Sequence, residues 1–398
     1  MDDTAPSGEV PDHPEPPADA PSIAAEALHR HIAAGEPVRL LDVRSSDEIE
    51  AWRIDGPSVT TTAIPLNKFL VAEAAEDVAS LAEEVDGAGP ITVVCAEGKA
   101  SAYVAGLLED RGVTARNLEG GMAGWARVYT ATPIGTEPTL LQYHRPSSGC
   151  LSYMVLEGDA AAVVDPLRAF TDRYREHAAE RDATIDAVVD THVHADHVSG
   201  LRTLAAATGA RRYLPAESVA RGVTYAVEEL EAGDAVAVGD ATLETVALPG
   251  HTTGMTGIVV GDTLLSGDSL FLDGVARPDL QVAAADERET LARTLHETLT
   301  ERLARFPDGT QIAPGHVAEG VEPAADGSFT ATLGDLRETL AAFEADPATF
   351  ADRVLADLPP PPANAERIVA INRGVESVDD AEAFELELGP NNCAAARW

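Results

Sequence analysis

The stretch Asp190-Thr-His-Val-His-Ala-Asp-His-Val-Ser-Gly200 decides how the second half of this chain is read. His192, His194 and His197, with Asp196 among them, fall within six residues. Ile185-Asp-Ala-Val-Val189 precedes them, and its β-branched, apolar character predicts a buried strand. Val198 to Ala206 predicts a helix. Imidazoles supply borderline nitrogen donors and the carboxylate a hard oxygen, a set suited to zinc or non-haem iron. The bland alternative is a polar surface turn. With 11 histidines in 398 residues, chance clustering of three is a poor account of it.

Working outward, the same theme recurs. Pro249-Gly-His-Thr252, Ser266-Gly-Asp-Ser-Leu-Phe271 and Gln311-Ile-Ala-Pro-Gly-His316 each set a His or Asp just after an expected strand, beside a glycine. Glycine lets the chain turn so that the next side chain points back over a sheet. Singly, such residues more often cap an element or face solvent. Jointly, His251, Asp268, His316 and the opening cluster are hard to explain without metal. Further strands are expected at Leu151–Leu156, Ala160–Asp165, Arg211–Leu214 and Thr242–Leu248, with a hairpin about Gly261-Asp262.

The first part of the chain alternates differently. Ser22 to Ala34 has helical spacing with Ser22 as its N-cap, and Val38–Val43 and Ile91–Cys95 read as strands. Helical segments over Lys68–Val85 and Ala100–Asp110 complete a parallel βαβ pattern. Ligands in such sheets bind beyond the carboxyl ends of strands, where Cys95 stands. Its loop, Cys95-Ala-Glu-Gly-Lys-Ala-Ser101, runs straight into a helix. Backbone N–H groups there favour a thiolate, Lys99 adds a full positive charge, and Glu97 opposes it. The loop alone leaves a nucleophilic cysteine and a buried structural one equally open.

Composition sets outer bounds. Lys and Arg number 28 against 67 Asp and Glu, a formal charge of −39. A field this negative excludes nucleic acid and anionic membrane as partners. The acids are spread along the chain, which fits a surface adapted to concentrated salt, where screening acts within about 3 Å at 1 M. A basic protein partner is the weaker reading. A halophilic protein of this kind is expected to unfold as KCl is dialysed away. Three separated cysteines are too few for a disulfide framework and point to a reducing, cytoplasmic compartment. Residues 1–21 are acidic and Pro-rich, expected as a disordered tail rather than a signal or transit peptide. No run of about 18 uncharged apolar residues spans a membrane.

Two family resemblances follow from these motifs. Leu41-Asp-Val-Arg44, Ile64-Pro65, Val94-Cys-Ala-Glu-Gly-Lys-Ala-Ser101 and Leu118-Glu-Gly-Gly-Met-Ala-Gly-Trp125 resemble the signposts of a rhodanese domain. The resemblance implies a persulfide carried on Cys95; Lys99, whose charge lies in the same loop, is expected as a second catalytic residue but is shifted by one from the family's basic position. Many members carry arginine five residues after the cysteine, where this chain has Ala100.

His-x-His-x-Asp-His, Pro-Gly-His-Thr, Ser-Gly-Asp and Pro-Gly-His, in that order, resemble the metallo-β-lactamase superfamily. The expected architecture is an α/β rhodanese-like parallel-sheet domain over residues 22–130, a linker over 131–138, and an αββα metallo-β-lactamase sandwich with a C-terminal helical segment over 139–390. In dinuclear hydrolases of that superfamily, the positions of His192, His194 and His251 hold one metal and those of Asp196, His197 and His316 the other, with Asp268 bridging. Ser148-Gly-Cys-Leu-Ser-Tyr153, Ala276-Arg-Pro-Asp-Leu280 and Leu358-Pro-Pro-Pro-Pro362 … Ile368-Val-Ala-Ile-Asn372 look like persulfide dioxygenases instead. That resemblance implies one Fe(II) on His192, His251 and Asp268, with His194, Asp196, His197 and His316 around it. Three coordination sites would stay open for substrate and dioxygen, and Arg277 would face an anionic persulfide.

The implied partners are a low-molecular-weight thiol persulfide, dioxygen and sulfite, the last also an acceptor for sulfur held on Cys95. A homo-oligomer is left open. The alternative is a dizinc, glyoxalase II-like thioester hydrolase with the rhodanese part as a sulfur carrier or docking module. Cys150 and Cys393 receive no role.

Overall fold

A computed structural model describes residues 20–135, 138–356 and 358–395. It separates into two compact units, Met1–Val128 and Tyr129–Trp398. The expectation of a disordered tail over residues 1–21 lies outside the described residues except for its last two, 20 and 21.

In the first unit five strands, β1 (Ser22–Ile23), β2 (Val38–Asp42), β3 (Val59–Ala63), β4 (Ile91–Val94) and β5 (Ala115–Leu118), form an all-parallel sheet in the order β1-β5-β4-β2-β3. β4 sits mid-sheet and every residue in it is buried, which is why it reads as an unbroken apolar run. The Asp42–Arg44 motif is structural: the guanidinium holds Asp42 through two nitrogens and donates to the Trp52 carbonyl at 2.8 Å.

Two local expectations are corrected here. Ser22 does not cap a helix, because β5 claims the backbone around it: Asn117 N–H donates to the Pro21 carbonyl and Glu119 N–H to that of Ile23. The helix begins at Ala25. The Lys68–Val85 segment is two helices, Leu66–Ala74 and Val78–Val85, divided where Glu76 turns to φ +58°.

The second unit has two packed sheets. β6 (Thr130–Ile134), β7 (Thr139–Arg145), β8 (Cys150–Glu157), β9 (Ala160–Val164), β10 (Thr184–Val189), β11 (Arg211–Pro215) and β12 (Glu228–Leu230) form the first, in the order β12-β11-β10-β9-β8-β7-β6. β13 (Ala235–Val238), β14 (Ala241–Ala247), β15 (Thr256–Val260), β16 (Thr263–Gly267), β17 (Gln311–Pro314) and β18 (Ala331–Thr332) form the second in chain order. The expected linker is thereby corrected in part. Residues 131–134 belong to a strand whose register with β7 runs from Thr130 opposite His144 to Ile134 opposite Leu140.

Period-two alternation on β8 shows how the layers form. Leu151, Tyr153 and Val155 face the core between the sheets, with Ile258 and Leu265 of the second sheet. Cys150, Met154 and Leu156 face the outer layer, where Tyr174 and Leu204 come from the helices Thr171–Ala179 and Leu201–Thr208. On the other side, Leu264 and Ile312 meet Leu295, Leu336 and Phe350 of three more helices. The result is the expected αββα sandwich.

Candidate metal centre

Each site residue lies just past a strand. The 190–200 loop follows β10, His251 follows β14, and Asp268 and His316 follow the neighbouring parallel strands β16 and β17. Two glycines make the approach close enough. Gly267 adopts φ +50°, and a Cβ on Gly315 would lie 2.5 Å from Asp268 Oδ1.

His192, His251 and Asp268 converge, one ligand atom from each lying within 4.8 Å of the others, and all three are buried. His192 Nε2 is 3.8 Å and His251 Nε2 3.7 Å from Asp268 Oδ2. The backbone fixes which nitrogen faces inward. His251 Nδ1 lies 2.7 Å from the Arg277 carbonyl, which can only accept, so Nδ1 carries the proton and Nε2 a lone pair. Thr191 donates its hydroxyl to Asp165 and so accepts from His192 Nδ1 at 2.9 Å, which frees Nε2 in the same way. His192 Nε2 and Asp268 Oδ2 are buried without a hydrogen-bond partner. Unpaired buried acceptors are costly, and a cation between them removes the cost.

Electrostatics agree with neutral imidazole ligands. Burial holds the His192 imidazole well below its ordinary range, helped by His194, and burial lowers His251 too. Burial opposes ionisation of Asp268, but His316, bonded to it at 2.7 Å, with His192 and His251 beyond, holds its carboxyl below the usual carboxylate range.

Three of the remaining predicted residues, Asp196, His197 and His316, form a second group together with Cys150. One ligand atom each of Cys150, Asp196, His197 and His316 lies within 4.8 Å of the others. His316 is committed on both sides, to Asp268 Oδ1 through Nδ1 and to Asp196 Oδ2 at 2.8 Å through Nε2. His194 stands apart, grouped with Asp165 and Asp190. Its Nε2 donates to Asp165 Oδ1 at 3.1 Å, leaving Nδ1 unpartnered.

Arg277 departs from expectation. Its guanidinium, expected to face an anionic substrate, is buried and binds Asp279 at 2.7 Å, with further bonds to the carbonyls of Pro360 and Asn392. A local carboxylate two residues on, in the same stretch, already neutralises it. Its carbonyl, not its charge, reaches the site.

Sequence reasoning assigned no part to the residues that pin the histidine loop. Asn372 donates to the carbonyls of His194 and His197 and accepts from Ser199 N–H. Glu387, in a buried ion pair with Arg145 at 3.0 Å, accepts from Val198 N–H. Asn372 ends one of the quoted C-terminal motifs, and that motif was the available signal.

In the first unit, Cys95 is buried at the end of β4, and its sulfur lies 3.1 Å from Gly98 N–H and 3.0 Å from Ser101 Oγ. Ser101 in turn bonds Asn117 Oδ1 at 2.7 Å. The Lys99 ammonium, expected beside the sulfur, is exposed and pairs with Glu97 at 3.1 Å, both side chains leaving the loop on its solvent side.

The sequence profile of the metallo-beta-lactamase superfamily matches residues 145–316, and that of the rhodanese-like domain residues 24–128. The mitochondrial persulfide dioxygenase ETHE1 of Bos taurus is 30% identical over 202 residues, 49% of this chain and 74% of that protein. A hydroxyacylglutathione hydrolase of Acidiphilium cryptum is 34% identical over 177 residues, 41% of this chain and 72% of that protein. Among solved structures, a metallo-beta-lactamase from Staphylococcus aureus superposes with a TM-score of 0.53 at 28% identity, covering 59% of this chain and 72% of that one. ETHE1 from Myxococcus xanthus gives 0.51 at 27%, covering 59% and 97%. The chain is thus an enzyme of the metallo-beta-lactamase superfamily, related to the persulfide dioxygenases ETHE1 and carrying a rhodanese-like domain ahead of its metallo-beta-lactamase domain.

Proposed function

We propose that this enzyme oxidises the outer sulfur of a low-molecular-weight thiol persulfide to sulfite, using one Fe(II) held by His192, His251 and Asp268. The observation that carries the reading is the three-ligand face itself. Its metal-facing nitrogens are freed by fixed tautomers, while the Asp196 group is bonded to itself. A 2-His-1-carboxylate face suits Fe(II), which would supply open positions for the persulfide and dioxygen. The likeness to persulfide dioxygenases of mammals supports the substrate class. The overall reaction is RSSH + O2 + H2O giving RSH and sulfurous acid, so dioxygen is the oxidant and the outer sulfur is oxidised.

The residues of the chain do the positioning. Thr191, Arg277 and His316 hold the three ligands, and Asn372 fixes the loop behind them. Cys95 would carry a sulfane sulfur between Gly98 N–H and Ser101 and pass it to sulfite, giving thiosulfate and a Cys95 thiolate. The three cysteines are all free, which fits a cytoplasmic setting, and no helix among the described residues is long and apolar enough to cross a membrane.

Oxygen uptake by iron-loaded protein on adding a small-molecule persulfide tests this. No uptake, with thioester hydrolysis by zinc-loaded protein, would establish the dizinc hydrolase instead. That second reading is favoured by the unpartnered His194 Nδ1 and by the likeness to hydroxyacylglutathione hydrolases.

A further inference from the structure

We propose that Arg221 and Arg373 form a binding site for a small divalent oxyanion, of the phosphate or sulfur-oxyanion class, that steadies the segment pinning the histidine loop. The inference goes beyond the oxidation reading and does not rest on it.

Two loops held back to back build the site. Thr224 N–H donates to the Arg373 carbonyl at 2.9 Å, and the Tyr225 hydroxyl donates to that of Asn372 at 3.0 Å. Gly222 adopts φ +93°, and a Cβ on it would lie 2.6 Å from Arg373 Nη2. Glycine thus lets the Arg373 guanidinium rest against the chain that carries Arg221.

In a chain with 67 acidic residues against 28 basic ones, two adjoining guanidiniums without a carboxylate need a reason. No carboxylate lies within ion-pair distance of either among the described residues. Glu228 lies with Arg211 at 3.7 Å and Glu376 with Arg367 at 2.6 Å. Arg221 Nη1 and Arg373 Nε are buried with no hydrogen-bond partner. Burial pushes the Arg221 guanidinium down to about 10, and the like charge of Arg373 presses the same way. Buried donors left unpaired are costly, and so is the repulsion between them. One anion with several acceptor oxygens removes both costs, because each guanidinium can offer it a fork of N–H groups. Two positive charges match a divalent oxyanion better than a monocarboxylate.

The placement carries a consequence for the metal centre. Arg373 directly follows Asn372, which donates to the carbonyls of His194 and His197. An anion that relieves the repulsion steadies this turn, and through Asn372 the loop that bears His192.

The test is calorimetric titration of the full chain with potassium sulfate, with ionic strength held constant by KCl. The expected result is one saturable site per chain. At about a hundredfold excess over the Kd, the melting midpoint should rise by about 5–10 °C. Hydrogen exchange in peptides spanning residues 190–200 should slow. Acetate at the same ionic strength should do neither. Arms with inorganic phosphate and with thiosulfate separate the two sources, the tighter binder being the resident class. Arg221→Gln and Arg373→Gln should each weaken sulfate binding roughly tenfold or more; if a variant does not fold, the wild-type titration decides alone. No saturable heat with wild type, undiminished binding in both variants, or an equal response to acetate would overturn the proposal. Binding without slower exchange in the loop would overturn its tie to the metal centre. Oxygen uptake is not the readout, so failure of the oxidation reading leaves this result standing.

Discussion

His251 Nδ1–H donates to the backbone carbonyl of Arg277 across 2.7 Å, and Arg277 is itself anchored by Asp279 and by the carbonyls of Pro360 and Asn392. A residue expected to bind substrate therefore supports the candidate ligand His251 through its backbone. Arg277→Lys keeps the charge but loses the paired contact with Asp279. Iron affinity should fall about 10- to 100-fold, while the KM for persulfide and the turnover per bound iron stay near wild type. Iron analysis alongside oxygen-uptake kinetics checks this; a raised KM at full iron occupancy would restore the substrate-binding role.

Asn372 ties three backbone groups of the histidine loop, at His194, His197 and Ser199. Asn372→Ala leaves buried donors and acceptors without partners, at about 1 kcal/mol for each lost bond. A loss of roughly 2–4 kcal/mol in denaturant unfolding is expected, with weaker metal retention even under conditions where the variant is folded. Wild-type stability and metal content in this variant would show that the loop holds itself.

The difference between what the sequence displays and what it conceals is one of range. His251, Asp268 and His316 were legible because each follows an apolar strand beside a glycine, and His192 because three histidines cluster just after one; both are local patterns. The sandwich was legible through the ordered His- and Asp-bearing motifs, whose resemblance to the metallo-β-lactamase superfamily implies it; β8 is buried nearly throughout and shows no polar alternation of its own. The partners that decide protonation are remote: Asp165 lies 26 residues from Thr191, and Asn372 meets His194 across 178. The Arg277 carbonyl is backbone, so no residue type announces it. Ser22 looks like a helix cap for the same reason, since its helical spacing is local and the pairing with β5 that overrides it is not. Residues 131–134 likewise look like linker until β7 is placed beside them.

Cys95 sulfur has Gly98 N–H and Ser101 Oγ as its neighbours, and Lys99 faces solvent with Glu97. Cys95→Ser should abolish thiosulfate formation from persulfide and sulfite while oxygen uptake continues. Ser101→Ala removes one hydrogen bond to the sulfur and should slow transfer several-fold, in keeping with about 1 kcal/mol. Lys99→Ala breaks only an exposed ion pair, worth about 0–1 kcal/mol, and should leave transfer near wild type. Strong loss in Lys99→Ala would mean that the ammonium turns to the sulfur during turnover.

Asp190, at the head of the histidine loop, is buried with Oδ2 bonded to Ser199 at 2.6 Å and Oδ1 unpartnered. Burial pushes its carboxyl up to about 6, against the pull of His194. A folded-state value above the ordinary one means that the native protein binds more protons than the unfolded chain between about pH 4 and 6. Stability from this group is therefore greatest at the acid end of that window and declines as pH rises through 6, by on the order of 2–3 kcal/mol. Asp190→Asn can keep an acceptor for Ser199 but cannot ionise. The difference in unfolding free energy between variant and wild type should thus shift in the variant's favour from pH 4 to pH 7, measured by urea denaturation at constant salt. A difference that does not change with pH would show that Asp190 titrates as an ordinary carboxylate, with the loop opening to water around it.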